Sequence, residues 1–163
     1  MQKIILPLLM LFLTGAAHAQ EISVGELLSL QKMDSHTIDS LLQTKGYHRQ
    51  VLDPNDITIR VYIWTGATSF GQPAMRSVHI GRPPGRKALD VEYGVWQKAD
   101  AQRFMHQLES AGFKRRTSTA PDMGGGGASF TQVDYRKENV DISYREEAQG
   151  GVTVYIFNVD GSF

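Results

Sequence analysis

Serine, lysine and histidine are the residue types in this chain that could act as nucleophile or general base. Ser29 is followed three positions later by Lys32, the S-x-x-K spacing that places a lysine one turn from a nucleophilic serine. Enzymes that use this pair also carry S-D-N and K-T-G elements in a much larger fold, and neither element occurs in these 163 residues. We therefore assign no catalytic residue to this motif.

A glycine-rich stretch, MGGGGAS at residues 123–129, is the second candidate for chemistry. A phosphate-binding loop needs backbone amides that converge on a helix N-terminus, commonly with a lysine–serine pair. Neither feature follows this stretch. We expect a loop between strands here.

The histidines give one candidate acid–base pair and no metal site. Those beyond residue 20 are His36, His48, His79 and His106. No two of them have ligand spacing, and the chain has no cysteine, so we expect neither a metal nor another cofactor. His79 lies on a predicted strand next to the strand of Asp90 and Glu92, where a general-acid pair could form.

The first 20 residues, MQKIILPLLMLFLTGAAHAQ, have the order of a secretory signal peptide. Lys3 precedes an apolar run from Ile4 to Leu13, and Ala17-His18-Ala19 supplies a cleavage site. The run of about ten residues is too short to span a bilayer. We predict a signal peptide at residues 1–19, and export to the periplasm or outside the cell without membrane insertion.

Charge and size exclude several classes of partner. The chain has 17 basic and 17 acidic residues, and loss of Lys3 leaves 16 basic residues and a net charge near −1. A neutral surface argues against nucleic acid and against a lysine-rich membrane binder. Residues 20–163 suit a single domain that can bury a core without disulfides.

Two regions have helical periodicity. Between Val24 and Lys45 the apolar residues recur at helical spacing, and an interruption at KMDSHT offers Asp34 or Ser35 as the N-cap of a further helix. The second region runs from Lys98 to Ala111. A glycine follows each region, at positions 46 and 112, where a helix end favours a left-handed residue.

The two helical regions also match each other at an offset of 66 residues. TKGYHRQ at 44–50 is echoed by SAGFKRR at 110–116. The matched pairs are Ile38 with Phe104, Leu42 with Leu108, Gly46 with Gly112, Tyr47 with Phe113, and Arg49 with Arg115. We predict an internal duplication, with repeat one at about 24–97 and repeat two at about 98–163.

The remaining segments read as strands with one buried face. DITIRVYIW at 56–64 alternates, and we take Ile57, Ile59, Val61 and Ile63 as its core-facing residues. RSVHI, ALDVEYGVW, residues 112–117, a hairpin in TQVDYRKENVDISYR, and GVTVYIFNV follow. One-sided alternation favours antiparallel pairing. The predicted fold class is α+β, with two helix-then-antiparallel-strands repeats and the helices packed on one face of the sheet.

The residues on the other face of these strands form a candidate binding surface. They are Arg60, Tyr62, Trp64, His79, Asp90, Glu92, Asp134, Arg136, Arg145, Tyr155 and Phe157. Aromatic and arginine side chains anchor many interfaces, and we select Arg60, Tyr62, Trp64, His79, Arg145 and Tyr155 as binding candidates. The alternative is that strands simply favour aromatics. Tyr155 and Phe157 would be core residues if both faces of the last strand are buried.

An export signal followed by two helix-then-strands units and a final VYIF strand resembles a known architecture. It is similar to the tandem repeat of the beta-lactamase inhibitor protein and its small envelope relatives, and to uncharacterised exported bacterial proteins with a similar last strand. The resemblance covers most of residues 20–163 and lies in element order. It implies a concave sheet face open to a partner. That inhibitor carries disulfides, which this chain cannot form, so neither lactamase inhibition nor residue roles carry over.

Together these observations favour an exported, non-catalytic binding or inhibitory module that uses the sheet face away from the helices. Its expected partner is a protein or glycan of the cell envelope. A structural or assembly component of the envelope is the first alternative, and a small hydrolase is the second.

Overall fold

The computed structural model describes residues 21–51, 58–69, 72–82, 85, 88–117, 132–149 and 151–159. Within them lie three helices, α1 (Val24–Leu30), α2 (Ser35–Thr44) and α3 (Lys98–Ser110). The strands are β1 (His48–Gln50), β2 (Ile59–Ser69), β3 (Gln72–Gly81), β4 (Asp90–Val95), β5 (Lys114–Thr117), β6 (Gln132–Lys137), β7 (Val140–Gln149) and β8 (Val152–Val159). The predicted α+β class is confirmed. The predicted signal peptide, Ile57 and the glycine-rich stretch lie outside the described residues.

All described strands form one antiparallel sheet in the order β1-β2-β3-β4-β8-β7-β6-β5. Each half of the chain therefore contributes a meander of consecutive strands. The meanders meet where β4 pairs with β8 and Tyr93 lies opposite Phe157. The two edge strands, β1 and β5, have only three and four residues, which limits the unpaired backbone at each edge.

Side chains fix the starts of the first two helices. Ser23 and Glu26 form a capping box on α1, in which each side chain accepts the other residue's backbone N–H. Asp34 caps α2 by accepting the N–H groups of His36 and Thr37 at 2.9 and 3.0 Å. Hydrogen bonds from Thr37 hold the pKa of Asp34 below its usual value. One of the two predicted N-caps, Asp34, is thus confirmed.

The C-terminal end of α2 is a Schellman motif. The N–H of Gly46 donates to the carbonyl of Gln43 at 2.9 Å, and that of Tyr47 donates to the carbonyl of Leu42 at 2.9 Å. Gly46 has φ of 82°, a conformation that favours glycine. The chain then turns directly into β1.

The C-terminal end of α3 repeats this geometry. The N–H of Gly112 donates to the carbonyl of Glu109 at 3.0 Å, and that of Phe113 donates to the carbonyl of Leu108 at 3.0 Å. Gly112 has φ of 89°. Both predicted C-terminal glycines are confirmed as left-handed residues.

The core lies between the helices and one face of the sheet. In α3, the ring centroid of Phe104 is 5.2 Å from that of Tyr93 and 4.7 Å from that of Phe157. Just after α1, the side-chain amide of Gln31 donates to the carbonyls of Leu89 and Val159, both at 3.2 Å. These contacts join the helices to both meanders, so the core is continuous across the junction of β4 and β8.

The predicted orientation of β2 is wrong. Tyr62 lies opposite Val78 on the helix-covered face, is 0% exposed and donates its hydroxyl to Asp39 of α2. Ile59, predicted to face the core, is 54% exposed, whereas Val61 on the same face is buried as predicted. Apolar and aromatic residues occupy both faces of this strand, so alternation alone does not determine which face is turned toward the core. The large ring of Tyr62 buries more apolar area than an isoleucine, and this favours the observed orientation.

Strand β1 was not predicted. Its sequence HRQ is polar and all three residues are exposed, so no apolar alternation marks it. Strand β1 pairs with β2 because the Schellman turn at the end of α2 places the chain beside β2, with Arg49 opposite Tyr62.

Candidate functional site

The sheet face opposite the core is called the open face, because the helix contacts given above all involve the other face. Parts of it are buried all the same, at Val61, Ser77, Val154 and Ile156. One row of directly paired residues crosses it: His79 on β3, Glu92 on β4, Asn158 on β8 and Ser143 on β7. Paired residues share a face, so these four side chains are neighbours. Arg145 lies two residues beyond Ser143 on β7 and therefore on the same face.

Four side chains of this face form a polar network, defined as His79, Glu92, Arg145 and Glu147. Arg145 Nη2 lies 2.8 Å from Glu92 Oε2, and Arg145 Nε lies 2.7 Å from Glu147 Oε1. His79 Nδ1 lies 3.4 Å from Glu92 Oε1. Because Arg145 and Glu92 belong to β7 and β4, their contact spans β8 and links the two meanders.

Arg145 is partly buried, with its side chain 24% exposed. Burial lowers the pKa of Arg145, but the hydrogen bonds that it donates to Glu147 and Glu92 outweigh burial and raise the pKa above its usual value. The guanidinium therefore stays charged, and two carboxylates fix its orientation.

Asn158 places a buried hydrogen-bond acceptor beside this network. Its Oδ1 atom is buried and has no partner among the described residues, and it lies opposite both Glu92 and Ser143. An unpaired buried acceptor costs about 1–3 kcal/mol. A donor from water or from a ligand would remove that cost.

An apolar platform adjoins the polar residues. A Cβ atom on Gly94 would lie 2.7 Å from Ser77 Oγ, 3.6 Å from Trp96 Cζ3 and 3.7 Å from Val154 Cγ1. The ring of Trp96 therefore reaches back over Gly94 on the open face, and it is partly exposed. Ile156, opposite Gly94, is buried.

Four of the six predicted binding candidates lie on the helix-covered face instead, and their predicted placement is wrong. Trp64 lies opposite Arg76 with its ring centroid 4.7 Å from that guanidinium. Arg60 and Tyr62 occupy the same face of β2, where Arg60 Nη1 is buried without a described partner. Tyr155 is buried opposite Val95. The inverted phase of β2 accounts for Arg60, Tyr62 and Trp64, and two-sided burial of β8 accounts for Tyr155.

The other two binding candidates, His79 and Arg145, do share the open face. Asp90, Glu92, Asp134 and Arg136 also lie there, as their pairing rows require, whereas Phe157 is a core residue. Sequence reasoning missed Trp96, Asn158, Ser143 and Glu147. A glycine within a strand often marks a close approach, so Gly94 two positions before Trp96 was the available signal for the platform.

A second polar cluster lies inside the core. Arg76 donates to Asp100 Oδ2 through Nε and Nη2 at 3.1 and 3.0 Å, and both residues are buried. The hydroxyls of Tyr47 and Tyr93 are buried nearby without a described partner. Burial raises the pKa of Tyr93 well above its usual value. The cluster joins β3 to α3.

Within the polar network, His79 and Glu92 form an acid–base pair that could transfer a proton. Nucleophilic catalysis would need a hydroxyl hydrogen-bonded to such a pair. The serine of the S-x-x-K motif does not serve, because Ser29 Oγ donates to the carbonyl of Gly25 within α1, at 2.7 Å. Across the described ranges, no group of three potential metal-ligating side chains occurs.

Comparison of the chain with protein-family models, with curated proteins and with solved structures finds no match. Within the described ranges, none of the helices has the length and apolarity to cross a membrane.

Proposed function

We propose that the protein is an exported, non-catalytic binding module and that its working surface is the open face around Glu92 and Arg145. The observation that carries this proposal is the polar network, which holds charged groups in fixed positions on a face that the helices leave uncovered. The side chains of Arg145, Glu92 and Glu147 are 24–34% exposed, so a ligand on this face could contact the charged groups directly.

The expected partner is a protein or glycan of the cell envelope. The polar network and the Trp96 platform together offer charged, hydrogen-bonding and apolar contact within one surface, which is the composition of many binding sites. Lactamase inhibition is not proposed, because only element order links this chain to that class of inhibitor.

The proposal extends to an internal duplication of one helix-then-strands unit. Support comes from the matching Schellman ends of α2 and α3 and from the consecutive strand order of each meander. A further parallel lies in the strands: Arg49 pairs with a tyrosine, Tyr62, and Arg115 pairs with Tyr135.

Variant-dependent capture from an envelope extract tests the binding module. The bait is the domain comprising residues 20–163, and the variant is Arg145→Glu, which reverses the central charge of the network. Arg115→Glu is the matched control, since Arg115 is exposed on the opposite side of the sheet. We expect a captured species that Arg145→Glu loses by at least about tenfold and Arg115→Glu retains. Equal capture by all three proteins would contradict the proposal.

Intact mass of the protein recovered from an expressing bacterium tests the export component. The predicted cleavage gives a chain that begins at Gln20. Recovery of the full chain in the membrane fraction would count against export.

A further inference from the structure

We propose that the ligand recognised on the open face is an uncharged sugar ring, stacked on Trp96 and hydrogen-bonded by Glu92, Arg145 and Asn158. This inference rests on the proposed binding function and names the class of ligand. It is carried by three features: the aromatic platform, the polar groups at its border, and the way their charges are already paired.

The platform provides an apolar surface of ring size. Trp96 Cζ3 lies 3.6 Å from the position of a Cβ on Gly94, so the ring covers the space that a side chain would otherwise fill. Trp96 is partly exposed, and the quadrupole of an indole ring is negative on its π face. The C–H groups on one side of a pyranose ring carry a slight positive charge and fit such a surface.

Polar groups stand at the border of the platform. Glu92 precedes Gly94 by two residues on the same face, so the two backbone positions are about 7 Å apart along the strand, roughly the width of a sugar ring. Asn158 lies opposite Glu92, and its Oδ1 is buried without a partner among the described residues. Arg145 offers guanidinium donors close to both, since it binds Glu92 at 2.8 Å. Donors and acceptors side by side match hydroxyl groups, which both donate and accept.

Each charged group of the network already has an oppositely charged partner. Glu92 and Glu147 both bind the guanidinium of Arg145, at 2.8 and 2.7 Å. An anionic ligand would compete with these carboxylates for Arg145, and a cationic ligand would compete with Arg145 for Glu92. A polyol can instead bond to lone pairs and N–H groups that the ion pairs leave available, without displacing either partner.

The test is an NMR titration of the domain with defined probes. The probes are the β-1,4 tetramers of glucose and of N-acetylglucosamine, a sulfated dextran, and a lysine-rich peptide. Signals of the Trp96 indole N–H, the Asn158 side-chain amide and the Arg145 Nε–H report on the site, and the Trp64 indole, which lies on the other face, is the internal control. We expect saturable shifts at Trp96 and Asn158 with at least one uncharged tetramer, and none at Trp64.

Variants separate stacking from folding. Trp96→Ala should weaken tetramer binding at least about tenfold, as for an aromatic anchor, whereas Trp96→Phe keeps a ring and should retain most of the affinity. Asn158→Ala should weaken binding without changing the Trp96 contact. The inference is overturned if neither uncharged tetramer shifts Trp96, or if only the sulfated dextran or the peptide does. If only the peptide shifts these signals and envelope capture still depends on Arg145, the proposed binding function is retained and the sugar ligand is rejected.

Discussion

Tyr62 ties the sheet to α2 through a hydroxyl that must stay protonated. Burial and the hydrogen bond to Asp39 raise the pKa of Tyr62 to about 12, whereas an unfolded chain has a tyrosine pKa near 10. The neutral form is therefore favoured by folding. Its contribution is complete below about pH 10 and is lost as pH rises through about 12.

We expect Tyr62→Phe to lose less stability than the wild type when pH is raised from about 8 to about 11, because the variant has no group at this position to ionise in the unfolded state. Urea unfolding at both pH values measures the difference. A difference in unfolding free energy between the two proteins that stays constant with pH would show that the Asp39 contact does not control the titration.

Trp64 is expected to matter for stability and not for binding. It packs on the core, and Arg76 lies over its ring at 4.7 Å. Trp64→Ala removes that packing and the cation–π contact, and should lower the free energy of unfolding by about 2 kcal/mol or more. Ile59→Ala on the same strand is the control, since Ile59 is exposed and its loss should cost less than about 0.5 kcal/mol. If folded Trp64→Ala protein captured the partner more weakly than the wild type, Trp64 would have to be part of the binding surface.

The roles of single residues were predicted correctly where they depend on a local capping rule. Asp34, Gly46 and Gly112 obey capping rules that involve a few neighbouring residues, and all three behave as predicted. The face of Trp64 depended on which side of β2 the helices cover. That choice is made by contacts between distant segments, which the alternation of one strand cannot reveal.

At the level of elements, the ends of α2 and α3 provide a matched experiment. Gly46 and Gly112 have φ of 82° and 89°, so alanine at either position should cost about 1 kcal/mol of unfolding free energy. At Gly112 the added Cβ would meet Lys137 at no closer than 3.8 Å, which is ordinary contact, and the expected cost is conformational. Thermal or urea unfolding of each variant measures it.

Gly25 is the control for these substitutions. It lies within α1, and a Cβ added there would have nothing within 4 Å, so Gly25→Ala should be neutral or stabilising by up to about 1 kcal/mol. If all three alanine variants lost the same stability, the left-handed conformation would not be the cause. Unequal losses at Gly46 and Gly112 would mean that the two helix ends are not energetically equivalent.

The elements themselves were largely predictable, because helical period, capping and alternation are local signals. Seven of the eight described strands overlap predicted segments, and β1 is the exception because its three residues are polar. The candidate site was predictable only in part. The face on which His79 and Arg145 lie follows from alternation along their strands. The Arg145–Glu92 contact depends on the position of β8 between their strands, and the sequence of a single segment does not predict strand order.

At the scale of the whole molecule, the two halves share one core although each has its own meander. Arg76 of the first half binds Asp100 of the second at 3.0 Å, and Phe104 packs against Tyr93 of the first half. An isolated half would expose the β4 or β8 edge and would leave one partner of the buried ion pair alone. Loss of one partner of a buried pair costs about 3–5 kcal/mol, which is a large share of the stability of a small domain.

We therefore expect fragments 20–97 and 98–163 to show no cooperative unfolding when each is alone, and to form one cooperatively unfolding complex when mixed. Circular dichroism and urea unfolding of each fragment and of the mixture measure this. Asp100→Ala in the second fragment should weaken the complex at least about a hundredfold, because it leaves Arg76 buried and unpaired. Asp141→Ala is the control, since Asp141 is exposed and contacts Arg136 within its own half, at 3.7 Å. A fragment that folds cooperatively by itself would contradict the shared core, because the contacts across the β4–β8 junction would then be dispensable for folding.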